Sequence, residues 1–203
     1  MTIIAILGLE CYQFDFEGAF LNGNMDQRLV FVCQPPGFGD GTNRVYKLLK
    51  TLYGLWDSPL VWFREATKLM RKVGFEPLAS EACVFTNKDK SIWIILYVDD
   101  MAIAAVTKEV IDSVSNQLGS VFTLTSLGEI KTFLGVQIVR DRKLRTISIN
   151  QEPYIDRVLG KKEWTNLKGV GSPLDVHVKL HTTMEDLTPS EKEEYLELVG
   201  SAQ

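Results

Sequence analysis

Apolar positions along the chain change their period several times, and each change predicts an element. Ile3 to Leu9 reads as the end of a helix entering a strand around Glu10 to Phe16, whose aromatic residues suit a pleated, mostly buried surface. Asn22-Gly23 is a turn signal, and Leu29 to Cys33 reads as another strand, stopped by Pro35-Pro36-Gly37. The clearest helix is Pro59 to Val73, where Leu60, Phe63, Thr67 and Met70 recur at helical spacing. Ser58 suits its N-cap, Pro59 its first position and Gly74 its left-handed end. Thr107 to Leu118 predicts a second helix, with Val110, Val114 and Leu118 on one stripe and Gly119 closing it. Shorter helices follow at Glu152 to Leu159, stopped by Gly160, and from Pro189 onward, where Thr188 and Glu191 form a capping box.

Between the two longer helices lie Val84 to Thr86, a polar turn Asn87 to Lys90, and the apolar runs Ile92 to Tyr97 and Met101 to Val106. Phe133 to Val139 and Thr146 to Ile149 flank Arg140 to Arg145 as a hairpin. Strands and helices intersperse without a regular strand–helix–strand order. The expected class is therefore α+β, an antiparallel sheet with helices packed on one face.

Composition narrows this picture. The 203 residues are 45% hydrophobic and 24% charged with near-zero mean hydropathy, which suits one sizeable core plus a smaller subdomain and excludes a disordered chain. No apolar stretch reaches the roughly 20 residues of a membrane span, and Ile3 to Leu9 lacks the basic flank of a signal peptide. No membrane partner is expected. Cys11, Cys33 and Cys83 are odd in number and widely spaced, which reads as reduced, buried thiols in an intracellular protein. A net charge of −4 does not itself favour nucleic acid. Basic residues cluster locally at Arg44/Lys47/Lys50, Lys68/Arg71/Lys72, Arg140/Arg142/Lys143/Arg145 and Lys161/Lys162. Each cluster taken alone reads as a solvated face.

Asp99 and Asp100 stand side by side between two apolar runs. Aspartates are ordinary turn residues, yet Val98 to Met101 contains no Gly or Asn. Asp15 lies between Phe14 and Phe16 in an apolar strand, where a lone carboxylate is costly unless it meets a cation or a donor. A structural hydrogen bond is the plain alternative. If that strand lies beside the hairpin, Asp15 and Asp99 meet at one sheet edge. Magnesium takes one or two protein carboxylates plus substrate phosphates, and two such ions about 3.5–4 Å apart can drive an in-line displacement.

Tyr97-Val98-Asp99-Asp100 between apolar strands is similar to the catalytic hairpin of reverse transcriptases. Gln13 to Gly23 resembles the first catalytic motif of copia-type retrotransposon reverse transcriptases. Gln34 to Phe38, Leu52 to Leu55 with Pro59 and Trp62, Leu127-Gly128, Phe133 to Gly135 and Ser172-Pro173-Leu174 match that family's landmarks in order. The resemblance implies a polymerase palm followed by a small helical and hairpin thumb-like segment, with truncated fingers. It divides the chain into a palm at 1–142, with 22–58 as a remnant of the fingers, and the end of the primer-grip hairpin with the start of a thumb or connection at 143–203.

It also implies RNA-directed DNA polymerase activity with two Mg2+ ions, or Mn2+ as a substitute. Asp15, Asp99 and Asp100 would be the catalytic, metal-binding carboxylates. Phe16, Ala19, Phe20, Tyr53 and Gly54 would bind nucleotide, the Phe16 carbonyl adding a ligand and Phe20 acting as steric gate, unless Phe20 is simply a core aromatic. Phe133, Leu134 and Gly135 would grip the primer, and Lys131 is a candidate proton donor. The implied partners are an RNA template, a DNA primer and product, deoxynucleoside triphosphates, and the integrase and RNase H segments of a polyprotein, in a cytoplasmic particle or the nucleus.

The chain departs from the family at Trp56, Asp57, Ser58 and Leu60: two basic residues expected in this loop, at positions 56 and 60, are gone and an acidic one, Asp57, has appeared, which weakens the expected phosphate contacts. Only 14 residues precede Asp15, so the sequence is expected to be a polyprotein fragment. A catalytically inactive remnant serving as a binding module is the alternative, with a carboxylate metal nuclease behind it.

Overall fold

The computed structural model describes residues 1–25, 28–162, 164–172, 177–178 and 187–202. In chain order the first elements are α1 (Thr2–Leu7), β1 (Glu10–Phe16), a 3-10 turn (Ala19–Asn22), β2 (Phe31–Cys33), β3 (Val45–Lys47), α2 (Ser58–Lys72), β4 (Phe75–Pro77) and β5 (Val84–Asn87). They continue as β6 (Trp93–Tyr97), β7 (Asp100–Ala105), α3 (Lys108–Gly119), β8 (Leu124–Glu129), β9 (Thr132–Phe133), β10 (Val136–Asp141), β11 (Thr146–Asn150), α4 (Glu152–Lys161) and α5 (Pro189–Ala202). The chain divides into two units, Met1–Asn150 and Gln151–Gln203.

The first unit is built on a six-stranded sheet in the order β4-β5-β6-β7-β1-β8, with every adjacent pair antiparallel. This bears out the expected α+β class. Alternation sends Phe14, Phe16, Ile94, Leu96, Met101 and Ile103 to one face, where α2 and α3 cover them with Trp62, Met70, Ile111 and Leu118. The opposite face carries Cys11, Ala102 and Ala104, covered by Phe133, Ile138 and Ile4 of α1. Helices therefore do not occupy one face alone, because short α1 packs with the β9–β11 sheet on the other.

Several local expectations shift in register. The buried stripe of α2 is Trp62, Ala66, Leu69 and Met70, while Leu60 is half exposed. In α3 it is Ile111, Val114 and Leu118, with Val110 at the rim. Asp57, not Ser58, occupies the N-cap position of α2, and the Ser58 hydroxyl donates to the Leu52 carbonyl at 2.7 Å. Gly74 does take the left-handed conformation after α2, and α4 runs through Gly160 to Lys161.

The sequence pattern does not mark strand β8, because Leu127-Gly128 interrupts its alternation. There the register with β1 shifts and Gly128 takes φ 87, the mark of a bulge. Cysteines are free, but only Cys11 is buried; Cys33 is exposed and Cys83 intermediate, since Cys33 lies on the outlying β2–β3 ribbon. Burial pushes the Cys11 thiol up to about 12. Among the described residues no helix is long and apolar enough to cross a membrane.

In the second unit the Thr188–Glu191 box forms at the start of α5, each residue's side chain bonding to the other's backbone. Lys161 and Lys162 are not a free basic face, because Glu197 and Glu194 of α5 pair with them. Pro173 and Leu174 of the Ser172-Pro173-Leu174 landmark lie outside the described residues.

Candidate active site

Strand β1 lies between β7 and β8, so the Asp15 strand does flank the Asp99-Asp100 hairpin. The register sets Asp15 directly opposite Asp100, not Asp99, and Tyr97 opposite Asp100 on the other side. Asp99 sits in the two-residue loop Val98-Asp99, and its carbonyl accepts the Phe16 N–H at 2.9 Å. Asp15, Asp99 and Asp100 are half-buried rather than enclosed. Asp15 points away from Phe14 and Phe16, since successive side chains of a strand alternate.

Opposed like charges on paired strands destabilise a sheet. Burial, then the Asp99 and Asp100 carboxylates, hold the Asp15 carboxyl above its usual range. Among the described residues none of the three forms an ion pair, and Asp100 accepts one hydrogen bond, from the Gln13 amide at 3.2 Å. Gln13 shares the strand face of Asp15, although the sequence marks it only as the start of a motif and gives it no role. Among the described residues no three acid, histidine or cysteine side chains converge into a ready-made metal cage. The donors present are carboxylate oxygens, which suit a hard cation completed by substrate oxygens.

The hairpin loop is strained. Val98 takes φ 56, where a β-branched residue is a true outlier; such strain costs on the order of 1–3 kcal/mol and clusters at functional sites. The Trp62 indole N–H donates to the Val98 carbonyl at 2.6 Å. In the sequence Trp62 stands only as a family landmark, although Trp62, Ala66 and Leu69 form a helical i, i+4, i+7 stripe that marks it as core.

The remaining expected positions fall into two groups. Ala19 is buried in the turn after β1, and Phe20 packs at a tilt of 50° against Tyr53 with ring centroids 4.9 Å apart. The Thr51 hydroxyl donates to the Phe20 carbonyl, and Gly54 takes φ 95 beside Tyr53. Phe20 is half-buried against the core, so its ring serves packing at one edge and stays open at the other. Phe133 is buried under the Asp15 face, while Leu134 and Gly135 form a two-residue hairpin loop with φ 51 and 79. Exposed Lys131 is not brought to the carboxylates: Ile130 bonds to Cys11, four residues of β1 from Asp15, or about 13 Å at strand rise.

The family model described as reverse transcriptase (RNA-dependent DNA polymerase) matches residues 2–176. The chain belongs to that family. It is 34% identical to the retrovirus-related Pol polyprotein from transposon TNT 1-94 of Nicotiana tabacum, over 99% of this chain and 16% of that protein. It is 31% identical to the retrovirus-related Pol polyprotein from transposon RE1 of Arabidopsis thaliana, over 94% of this chain and 13% of that one. The polyprotein from transposon RE2 of the same plant is 28% identical over 94% of the chain. The chain thus spans about one sixth or less of these relatives' length, and these matches support the copia-type retrotransposon resemblance read from the motifs.

Proposed function

We propose that this reverse transcriptase chain carries the palm of an RNA-directed DNA polymerase, extending a DNA primer on an RNA template from deoxynucleoside triphosphates. The observation that carries the reading is the cross-strand pairing of Asp15 with Asp100 beside Asp99, with no cationic partner among the described residues. A fold keeps such repulsion where a function needs it.

Asp15 and Asp99 would hold two Mg2+ ions, or Mn2+ in their place, with the Phe16 carbonyl as a further ligand. Asp100, anchored by Gln13, would assist. The chemistry such ions supply is activation of the primer 3′-hydroxyl and neutralisation of charge at the phosphates. Phe20, braced by Tyr53, would exclude a 2′-hydroxyl from the nucleotide site flanked by Ala19 and Gly54. The Leu134-Gly135 loop, with Phe133 as its buried root, would hold the primer end on the face that carries Asp15.

Met1–Asn150 would then be the palm with its primer-grip hairpin, the β2–β3 ribbon a portion of the fingers, and Gln151–Gln203 the start of a thumb or connection. The integrase and RNase H segments of a polyprotein are the expected covalent neighbours.

Primer extension on an RNA template with Mg2+ tests this. Asp99→Asn should lower extension roughly 100-fold or more, the scale of losing one electrostatic stabiliser of a transition state. Unchanged extension would refute the site.

A further inference from the structure

We propose that Trp62 is the positioning residue that sets the spacing between Asp15 and the Asp99 and Asp100 carboxylates of the β6–β7 hairpin; this rests on reading those carboxylates as the metal site. Trp62 is 1% exposed in the middle of the main core. A buried indole N–H needs an acceptor. It takes the carbonyl of Val98, the first loop residue of the β6–β7 hairpin. The same indole meets the Phe16 ring edge-on, with centroids 5.2 Å apart at 70°, and Phe122 at 5.2 Å and 67°. Phe16 follows Asp15 in the chain, and its N–H is held by the Asp99 carbonyl. Three contacts therefore close a ring: indole to turn, turn to strand, strand to indole. Asp15 projects from one member of that ring and Asp99 and Asp100 from another.

The turn needs this clamp because of the residue it uses. At φ 56 the Val98 side chain crowds the backbone, and its branched Cβ leaves little room for relief. Without an external partner the loop would relax toward negative φ, turning the peptide that leads into Asp99. Indole donation selects the carbonyl orientation that accompanies the strained loop. Phenylalanine at the same place would keep the ring packing and donate nothing. Glycine at position 98 would accept the same φ without strain, making the clamp dispensable.

That contrast supplies the test. Mn2+ affinity is measured by calorimetry for wild type, Trp62→Phe, Val98→Gly and the double variant, and the indole protons of the metal-free protein are observed by 15N NMR with Trp56→Phe to assign the exposed reference. Trp62→Phe should remain folded and bind Mn2+ about 10- to 100-fold more weakly, the usual cost of losing a residue that orients metal ligands. Val98→Gly should bind like wild type, and the double variant should recover most of the loss. The Trp62 indole proton should resonate downfield of that of Trp56.

Unchanged Mn2+ affinity in Trp62→Phe, or no recovery in the double variant, would overturn the proposal and leave Trp62 a core filler. A Trp62 indole resonance coincident with that of Trp56 would overturn it as well. If wild type binds no Mn2+, the metal-site reading fails, and the indole resonance alone then decides whether the clamp exists.

Discussion

Asp15 shows how a single residue can oppose the stability of its own fold. Its carboxylate faces that of Asp100 across paired strands, and burial, then the charges of Asp99 and Asp100, hold its proton more tightly in the folded chain than in the unfolded one. For a carboxyl raised in this way, the penalty on stability is absent in acid and complete above the folded pKa. Asp15→Asn should therefore stabilise the protein at neutral pH by about 0.2–1 kcal/mol, the scale of one cross-strand charge pair. The gain should fade as pH falls through the usual carboxylate range. Urea unfolding at the two pH values measures it. A variant less stable than wild type at neutral pH would mean that the carboxylate serves a structural bond. The three aspartates were legible in the sequence as a group. Their register was not, because a one-residue slip in pairing exchanges Asp99 for Asp100.

Among the elements, hairpins with unusual loops carry the expected chemistry. The Leu134-Gly135 loop has positive φ at both residues, the pattern of a type I′ turn, for which Asn-Gly is the favoured pair. Leu134→Asn should raise stability by about 0.5–1 kcal/mol by relieving a leucine held in the left-handed region. Thermal melting measures this, and a lower melting temperature would show that the exposed leucine has packing partners of its own. Aromatic content revealed β1, and continuous apolar runs revealed β6 and β7, because both faces of these central strands are covered. The pattern does not mark β3, which is exposed throughout, the three-residue β4, or β8, which is broken by the Leu127-Gly128 bulge. Helix limits were legible from Pro59, Gly74 and the Thr188–Glu191 box. The expected face of α3 held at Val114 and Leu118 with Ile111 in place of Val110, while that of α2 held only at Met70 and otherwise shifted by a residue or two, since neighbouring stripes of an amphipathic helix carry similar apolar weight.

Across the first unit, Arg142 joins parts far apart in sequence. From the β10–β11 loop its guanidinium grips both carboxylate oxygens of Glu10, at the start of β1, and reaches Glu129, at the end of β8. Hydrogen bonding to Arg142 outweighs the effect of burial and holds the Glu10 carboxyl below its usual range. A depressed carboxyl contributes stability above the unfolded pKa and loses it as pH falls through the folded one. Arg142→Met should thus cost at most about 1 kcal/mol at neutral pH, because the pair is partly exposed. The difference from wild type should vanish in acid and shrink at high salt. Urea midpoints across pH and ionic strength test this, and a difference that persists in acid would assign the loss to packing.

The sequence by itself determined which residue types stand beside one another: an acid inside an aromatic strand, two acids between apolar runs, and ordered landmarks that name the family. Those features follow from local pattern, where side-chain period and turn chemistry act over a few residues. Only the tertiary structure decided that Asp15 faces Asp100, that Gln13 anchors that acid, and that Phe20 rests on Tyr53. The same holds for Trp62 and the strained Val98 turn. These relations join residues up to 87 positions apart in the chain, and they depend on strand register and helix rotation. Both are settled by how two faces of one sheet are filled at once, a condition that no local stretch of sequence contains.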